Sequence, residues 1–279
     1  MRPFICYNLI INIKGAIILN ETINLLNRRK SVRAYEDKPI PSDVKDEIIK
    51  SAMRAPTAGN MMLYSIIDIT DQGIKDKLAE TCDDQPFIAK APLVLMFFAD
   101  YQRWYDYFKV CGVTSSMGIT EDEVRKPEEG DLMLACSDAL IAAENAVVAA
   151  DALGLGSCYI GDIMENYEVH KELLGLPDYV FPISMVVFGY PTEQQKERQQ
   201  PERYDKRFIV FENKYKQLNK DEFDEMYART HEKMKSFNNG KLEKSAGEVM
   251  YTKKYTADFT KEMNRSVRAA LKKWNQETE

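Results

Sequence analysis

Histidine is nearly absent: the 279 residues include only two, His170 and His231. A His-based metal centre or catalytic triad therefore has almost no raw material, and no metal site is expected. Both histidines sit in polar helical patterns that predict a surface position. The five cysteines, Cys6, Cys82, Cys111, Cys136 and Cys158, are odd in number, far apart and without a C-x-x-C pair. That spacing excludes a disulfide framework and a zinc ribbon, and it fits a reducing cytoplasm. Both standard phosphate loops are missing, since no G-x-G-x-x-G follows the first strand pattern and no G-x-x-x-x-G-K-[ST] occurs. A basic excess is lacking too: the net charge of −6 removes the electrostatic footprint of a nucleic-acid binder. No internal repeat or low-complexity segment is present. The one hydrophobic oddity, residues 1–19, is broken by Asn8, Asn12 and Lys14. It is too short to span a bilayer and lacks the pattern of a signal peptide. The expectation is an upstream extension from a mis-called start codon.

What is present is ample core material, 44% hydrophobic, with an ordinary 29% of charged residues. Asn20 is placed to cap a short helix carrying Ile23, Leu25 and Leu26. That helix leads into Arg28-Arg29-Lys30-Ser31-Val32-Arg33, four cations and a hydroxyl at a helix-to-extended transition. Such a cluster suits a phosphate or another planar anion, although alone it also reads as a solvated basic loop. Ser42 is expected to cap a second helix, which stops at the small-residue loop Ala55–Asn60. A strand at 64–70, a helix at 74–81 and a continuous apolar strand at 91–99 follow, the last buried on both faces. Residues 100–130 show no clean period and read as an excursion, a mobile cover. The longest helical signal, 131–153, is apolar nearly all round, so it is central or buried by a partner subunit. Strands at 157–162 and 181–190 come next. The tail from 212 onward carries two amphipathic patterns separated by a polar stretch, and it must pack on the body or on a partner.

In order, Arg29-Lys30-Ser31-Val32-Arg33, Ala55–Asn60, Asp84-Gln85, Ala142-Ala143-Glu144 with Leu153-Gly154-Leu155-Gly156, Tyr159-Ile160-Gly161-Asp162, Leu173–Pro177 and Phe188-Gly189-Tyr190-Pro191 resemble the nitroreductase family of FMN-dependent NAD(P)H oxidoreductases. The likeness is strongest to its NADPH-preferring, oxygen-insensitive branch, and it covers residues 20 to about 211. It implies an α+β fold of three layers, α/β/α, with a central mixed, mostly antiparallel sheet in an intertwined homodimer. It also divides the chain into 1–19, an FMN-binding domain at 20–211 and a helical extension at 212–279.

The resemblance implies that Arg29, Lys30, Ser31 and Arg33 hold the FMN phosphate and pyrimidine edge. Thr57, Ala58, Gly59 and Asn60 would reach in from the partner subunit, and Gln85 would bond the pyrimidine or ribityl side. The Gly161 backbone would donate to flavin N5, with Tyr159, Ile160 and Asp162 beside it, while Lys196 and Arg198 would return to the phosphate. Arg33 is the candidate cation for the reduced ring, and no side chain is expected to act as a nucleophile or base. The implied activity is ping-pong hydride transfer from NADPH or NADH to a small-molecule acceptor: a nitroaromatic, a quinone or free flavin. The alternatives are a non-catalytic flavin-binding or sensor protein and a reductive dehalogenase of the same fold. Met61 and Met62 stand where relatives often carry glutamine, so that contact departs from the pattern.

Overall fold

The computed structural model describes residues 20–276, so residues 1–19 lie outside it. In chain order the elements are α1 (Glu21–Arg28), α2 (Ser42–Met53), β1 (Tyr64–Asp68), α3 (Gln72–Thr81), α4 (Pro86–Lys90), β2 (Leu93–Asp100), α5 (Gln102–Val110) and α6 (Val113–Met117). They continue with α7 (Glu129–Ala152), β3 (Gly156–Ile160), α8 (Tyr167–Leu174), β4 (Val180–Gly189), α9 (Glu193–Glu197), α10 (Lys220–Phe237), α11 (Ala246–Met250) and α12 (Asp258–Trp274). The sheet runs β1-β2-β4-β3 and every pairing is antiparallel. A single parallel bridge, Ser31 with Ser157, adds the segment after α1 to the outer edge of β3.

β2 explains the layering. Its side chains alternate, and both faces are apolar. Leu93, Leu95 and Phe97 pack with Val186 and Phe188 of β4 beneath α2 and α7. Val94, Met96 and Phe98 pack on the opposite face with Leu78 of α3 and Ile88 of α4. The expected α/β/α stack is thus present. A third cluster, under α5 and α12, centres on Tyr105, Tyr179 and Trp274, whose rings meet edge-on.

Asn20 caps α1 as expected, its Oδ1 accepting from Ile23 N at 3.0 Å. Ser42 does not cap α2: Pro41 occupies that position and Ser42 is already helical. His170 is the clearer departure. It is fully buried, with Nδ1 3.0 Å from the Ile163 carbonyl and Nε2 2.8 Å from Thr81 Oγ1. Burial lowers its pKa, so the ring is neutral at physiological pH. The polar neighbours of His170 along α8 concealed this, because its partners come from the turn after β3 and the end of α3.

Residues 100–130 hold two helices, α5 and α6, and α5 is anchored: Trp104 Nε1 donates to the Met61 carbonyl at 2.7 Å. The polar stretch of the tail likewise holds α11 and a π-turn at Tyr251–Tyr255. α12 docks on the body through Ser266, Ala270 and Trp274, whereas α10 buries none of its residues. α7 is long and apolar enough to cross a membrane by length and composition, but its inner face packs on β2, β4 and α2 as the core helix. Its outer face leaves Met133, Leu134, Leu140 and Ile141 exposed.

The segment after α1 can lie flat on the sheet edge only because of two glycines. A Cβ at Gly156 would stand 2.5 Å from Val32 Cγ2, and one at Gly189 would stand 2.6 Å from the Tyr35 ring. Gly156→Ala should therefore cost about 1–3 kcal/mol of stability. Chemical denaturation measures this, and an unchanged midpoint would show that the edge contact is not tight.

Candidate functional site

α1 ends at Arg28 and the chain becomes extended at Arg29 (φ −54°, ψ 137°). It stays against the sheet through Val32 N donating to the Ser157 carbonyl at 2.8 Å and Glu36 N donating to that of Tyr190 at 2.8 Å. Extended backbone alternates its side chains, so Arg29, Ser31 and Arg33 share one side, and Lys30 and Val32 the other. Val32 is buried over Gly156. The Lys30 ammonium turns to the loop beyond β4 and donates to the carbonyls of Lys196 (2.6 Å) and Arg198.

The other side converges on Cys158, which is buried in β3. Burial pushes its thiol pKa up, while Arg33, the Ser31 hydroxyl, Arg29 and Arg198 all act to lower it. Groups from two distant stretches, residues 29–33 and Arg198, therefore act on one point of the strand. Arg198 Nη2 donates to the Ser31 carbonyl. Arg29 Nη1 and Arg198 Nε are buried with no hydrogen-bond partner. A buried guanidinium N–H is costly unless an acceptor meets it, and two such unpartnered donors suit an oxyanion. The Lys196 ammonium is already paired with Glu36 (3.2 Å) and Glu193 (2.6 Å), although the residue borders the same cavity as Arg29 and Lys30. That cavity, of about 390 Å³, is bordered by Arg28, Arg29, Lys30, Gly156, Ser157 and Gln195.

β3 leads from this cluster to the second part of the site. The Tyr159 hydroxyl donates to Glu144 at 3.0 Å, and Ile160 is buried. Gly161 has an ordinary backbone (φ −79°, ψ −22°), and a Cβ there would meet nothing within 4 Å. The fold itself does not require glycine at this position, and the backbone there is open to close approach. Gln85 arrives at the same place. Two successive left-handed residues, Asp83 (φ 60°) and Asp84 (φ 47°), turn the chain so that Gln85 Nε2 donates to Asp162 Oδ2 at 2.7 Å and to the Cys82 carbonyl at 2.8 Å.

Thr57–Asn60 has different partners: Thr57 and Ala58 bond to α7. Asp138, buried on that helix, accepts from the Thr57 hydroxyl, from Ala58 N (3.1 Å) and from Leu63 N (3.2 Å). Thr57 Oγ1 in turn accepts from Met62 N at 2.9 Å. Gly59, Asn60 and Met62 are all left-handed, a cluster that only such tethering maintains. Arg103 of α5 donates to the carbonyls of Met62 and Tyr64 from outside. Sequence reasoning overlooked Asp138 and Arg103. The signal for Asp138 was legible, because a carboxylate on the apolar, inward side of a core helix has to be met by donors.

Removing the Asp138 carboxylate strands one hydroxyl and two buried N–H groups. Asp138→Ala should destabilise the protein by about 2–4 kcal/mol and raise amide hydrogen exchange first at Ala58 and Leu63. Unchanged exchange at those amides would show that the loop is held by other means.

The profile of the nitroreductase family matches residues 26–190. The chain is 33% identical over 180 residues to an FMN reductase [NAD(P)H] of Bacillus subtilis, covering 64% of this chain and 70% of that protein. It is 30% identical over 194 residues to an NADPH-dependent oxidoreductase of Staphylococcus aureus, covering 69% and 73%. Among solved structures, NfrA2 of B. megaterium superposes with a TM-score of 0.74 at 29% identity, covering 92% of this chain and 98% of that one. The overall fold is thus shared with that solved structure over most of the chain, and the chain belongs to the nitroreductase family.

Proposed function

We propose that this protein is an FMN-dependent oxidoreductase that takes hydride from NADPH or NADH and passes it to a nitroaromatic, a quinone or free flavin in ping-pong fashion. The names of its relatives, an FMN reductase and an NADPH-dependent oxidoreductase, support the cofactor and the co-substrate. The observation that carries the reading to this chain is the pair of unpartnered buried nitrogens, Arg29 Nη1 and Arg198 Nε, the second on a side chain that donates to the Ser31 carbonyl.

FMN, when bound, supplies the hydride chemistry. Arg29, Ser31 and Arg198 would hold its phosphate, and Arg33 would put positive charge near its ring system. Lys30 acts through another residue, fixing the 196–198 loop by its carbonyls so that Arg198 faces Ser31. Lys196 contributes charge at the rim. Gln85, Tyr159, Ile160 and Asp162 would line the flavin edge, with open backbone at Gly161 permitting close approach.

In our reading two copies complete the site with Thr57, Ala58, Gly59 and Asn60, because this loop is held on α7 through Thr57 and Ala58 and not on the basic segment. The exposed apolar face of α7, with Ile23 and Leu26 of neighbouring α1, supports a homodimer. Residues 20–211 would form the flavin domain and 212–279 an extension carried on it. A cytoplasmic, membrane-free and nucleic-acid-free protein accords with the buried inner face of α7 and the net negative charge.

The purified protein should be yellow and should bleach anaerobically with NADPH or NADH, and a colourless protein that cannot be reconstituted with FMN would refute the proposal. Bound FMN that neither nicotinamide bleaches would favour the sensor alternative. Arg198→Ala should weaken FMN binding roughly tenfold or more, the effect of losing a charge-assisted anion contact, as read by flavin fluorescence. Native affinity in that variant would remove Arg198 from the phosphate site.

A further inference from the structure

Beneath the Gln85–Asp162 bond lies a carboxyl group that none of the chemistry above uses. Asp162 opens a 3₁₀ turn, Asp162–Met164, and Glu165 closes it, its backbone N donating to the Asp162 carbonyl at 2.9 Å. Side chains three residues apart eclipse in such a turn, so the two carboxyl groups come within hydrogen-bonding reach. Glu165 is 4% exposed, and its Oε1 is buried without a donor. The charged groups that act on it are Asp162 on the same turn, Asp83 after α3 and Glu262 on α12, all of them acidic. Arg265 is committed to Glu262 and Glu168 at 2.8 Å. The Cys82 thiol and the buried His170 ring, held neutral, complete the surroundings. Two carboxyl groups in contact cannot both stay ionised, and a proton on Glu165 would satisfy both.

We propose that Glu165 is a positioning residue that retains a proton and donates it in a hydrogen bond to Asp162, thereby aiming Asp162 and Gln85 at the flavin edge. The proposal rests on the flavin reading. Burial, then Asp162 and Asp83, push the Glu165 carboxyl up to about 7 from an ordinary 4.5. The folded protein therefore holds this proton between those values, where the unfolded chain has released it. The stabilisation it gives is complete under acidic conditions and is lost as pH rises through about 7.

FMN affinity of the full-length protein, followed by flavin fluorescence, should fall about tenfold as pH rises through neutrality. Glu165→Gln keeps a donor toward Asp162 and has no titrating proton, so its affinity should be high and flat with pH. Glu165→Ala should bind weakly at every pH. A native curve without this inflection, or an inflection that persists in Glu165→Gln, would overturn the proposal. Infrared difference spectroscopy reads the proton without FMN: a protonated carboxylic acid band should vanish across the same interval and be missing in Glu165→Gln. Its absence from the native protein would overturn the proposal even if FMN binds. Its presence in a protein that binds no FMN would support the shared proton and refute only the flavin reading.

Discussion

The contact between the backbone at Ser31-Val32 and the outer edge of β3 is the constraint on which the site depends. An edge strand presents unpaired N–H and C=O groups, and here the segment after α1 meets them. Once that segment is extended along the edge, the positions of its cations follow from alternation alone. Arg29 and Arg33 must flank Ser31, and Lys30 must face the returning loop. Because Gly156 has no side chain, the approach is close enough for Val32 to be buried against it. The basic cluster is therefore an added strand whose charges are sorted by the pleat.

A second constraint acts on the far side of the sheet. Asp138 gathers the backbone of residues 58–63 around one buried carboxylate, while Trp104 and Arg103 brace the same loop from outside. Residues 100–130 consequently serve as support, at least through α5, and not as the free cover that their irregular pattern predicts. The left-handed run at Gly59, Asn60 and Met62 is held from both sides.

The layered fold was legible because its strongest elements carry strong local patterns: the unbroken apolar run of β2, the all-round apolar α7, and the glycines closing β3 and β4. Candidate site residues were legible as chemical types. Their company was not. Nothing local distinguishes Lys30, which ties down a loop, from Arg29, which keeps an unpartnered nitrogen; the difference is one step of the pleat. His170 looked exposed because its neighbours along α8 are polar, yet its surroundings come from a turn at 163 and a helix end at 81. Such placements arise from tertiary packing, which periodicity cannot report.

α7 does two mechanical tasks at once. One face forms the floor of the core and the other is open and apolar, while Asp138 sets the pose of a loop that starts at the end of α2. An α-helix turns about 100° per residue, so an insertion or deletion of one residue between Asp138 and Ala146 would swing the carboxylate away from the loop if the core stayed in register. It would displace the core if the carboxylate stayed. The length of this helix on either side of Asp138 therefore cannot drift. Descendants of this sequence should vary in loops and tail while α7 keeps a constant residue count.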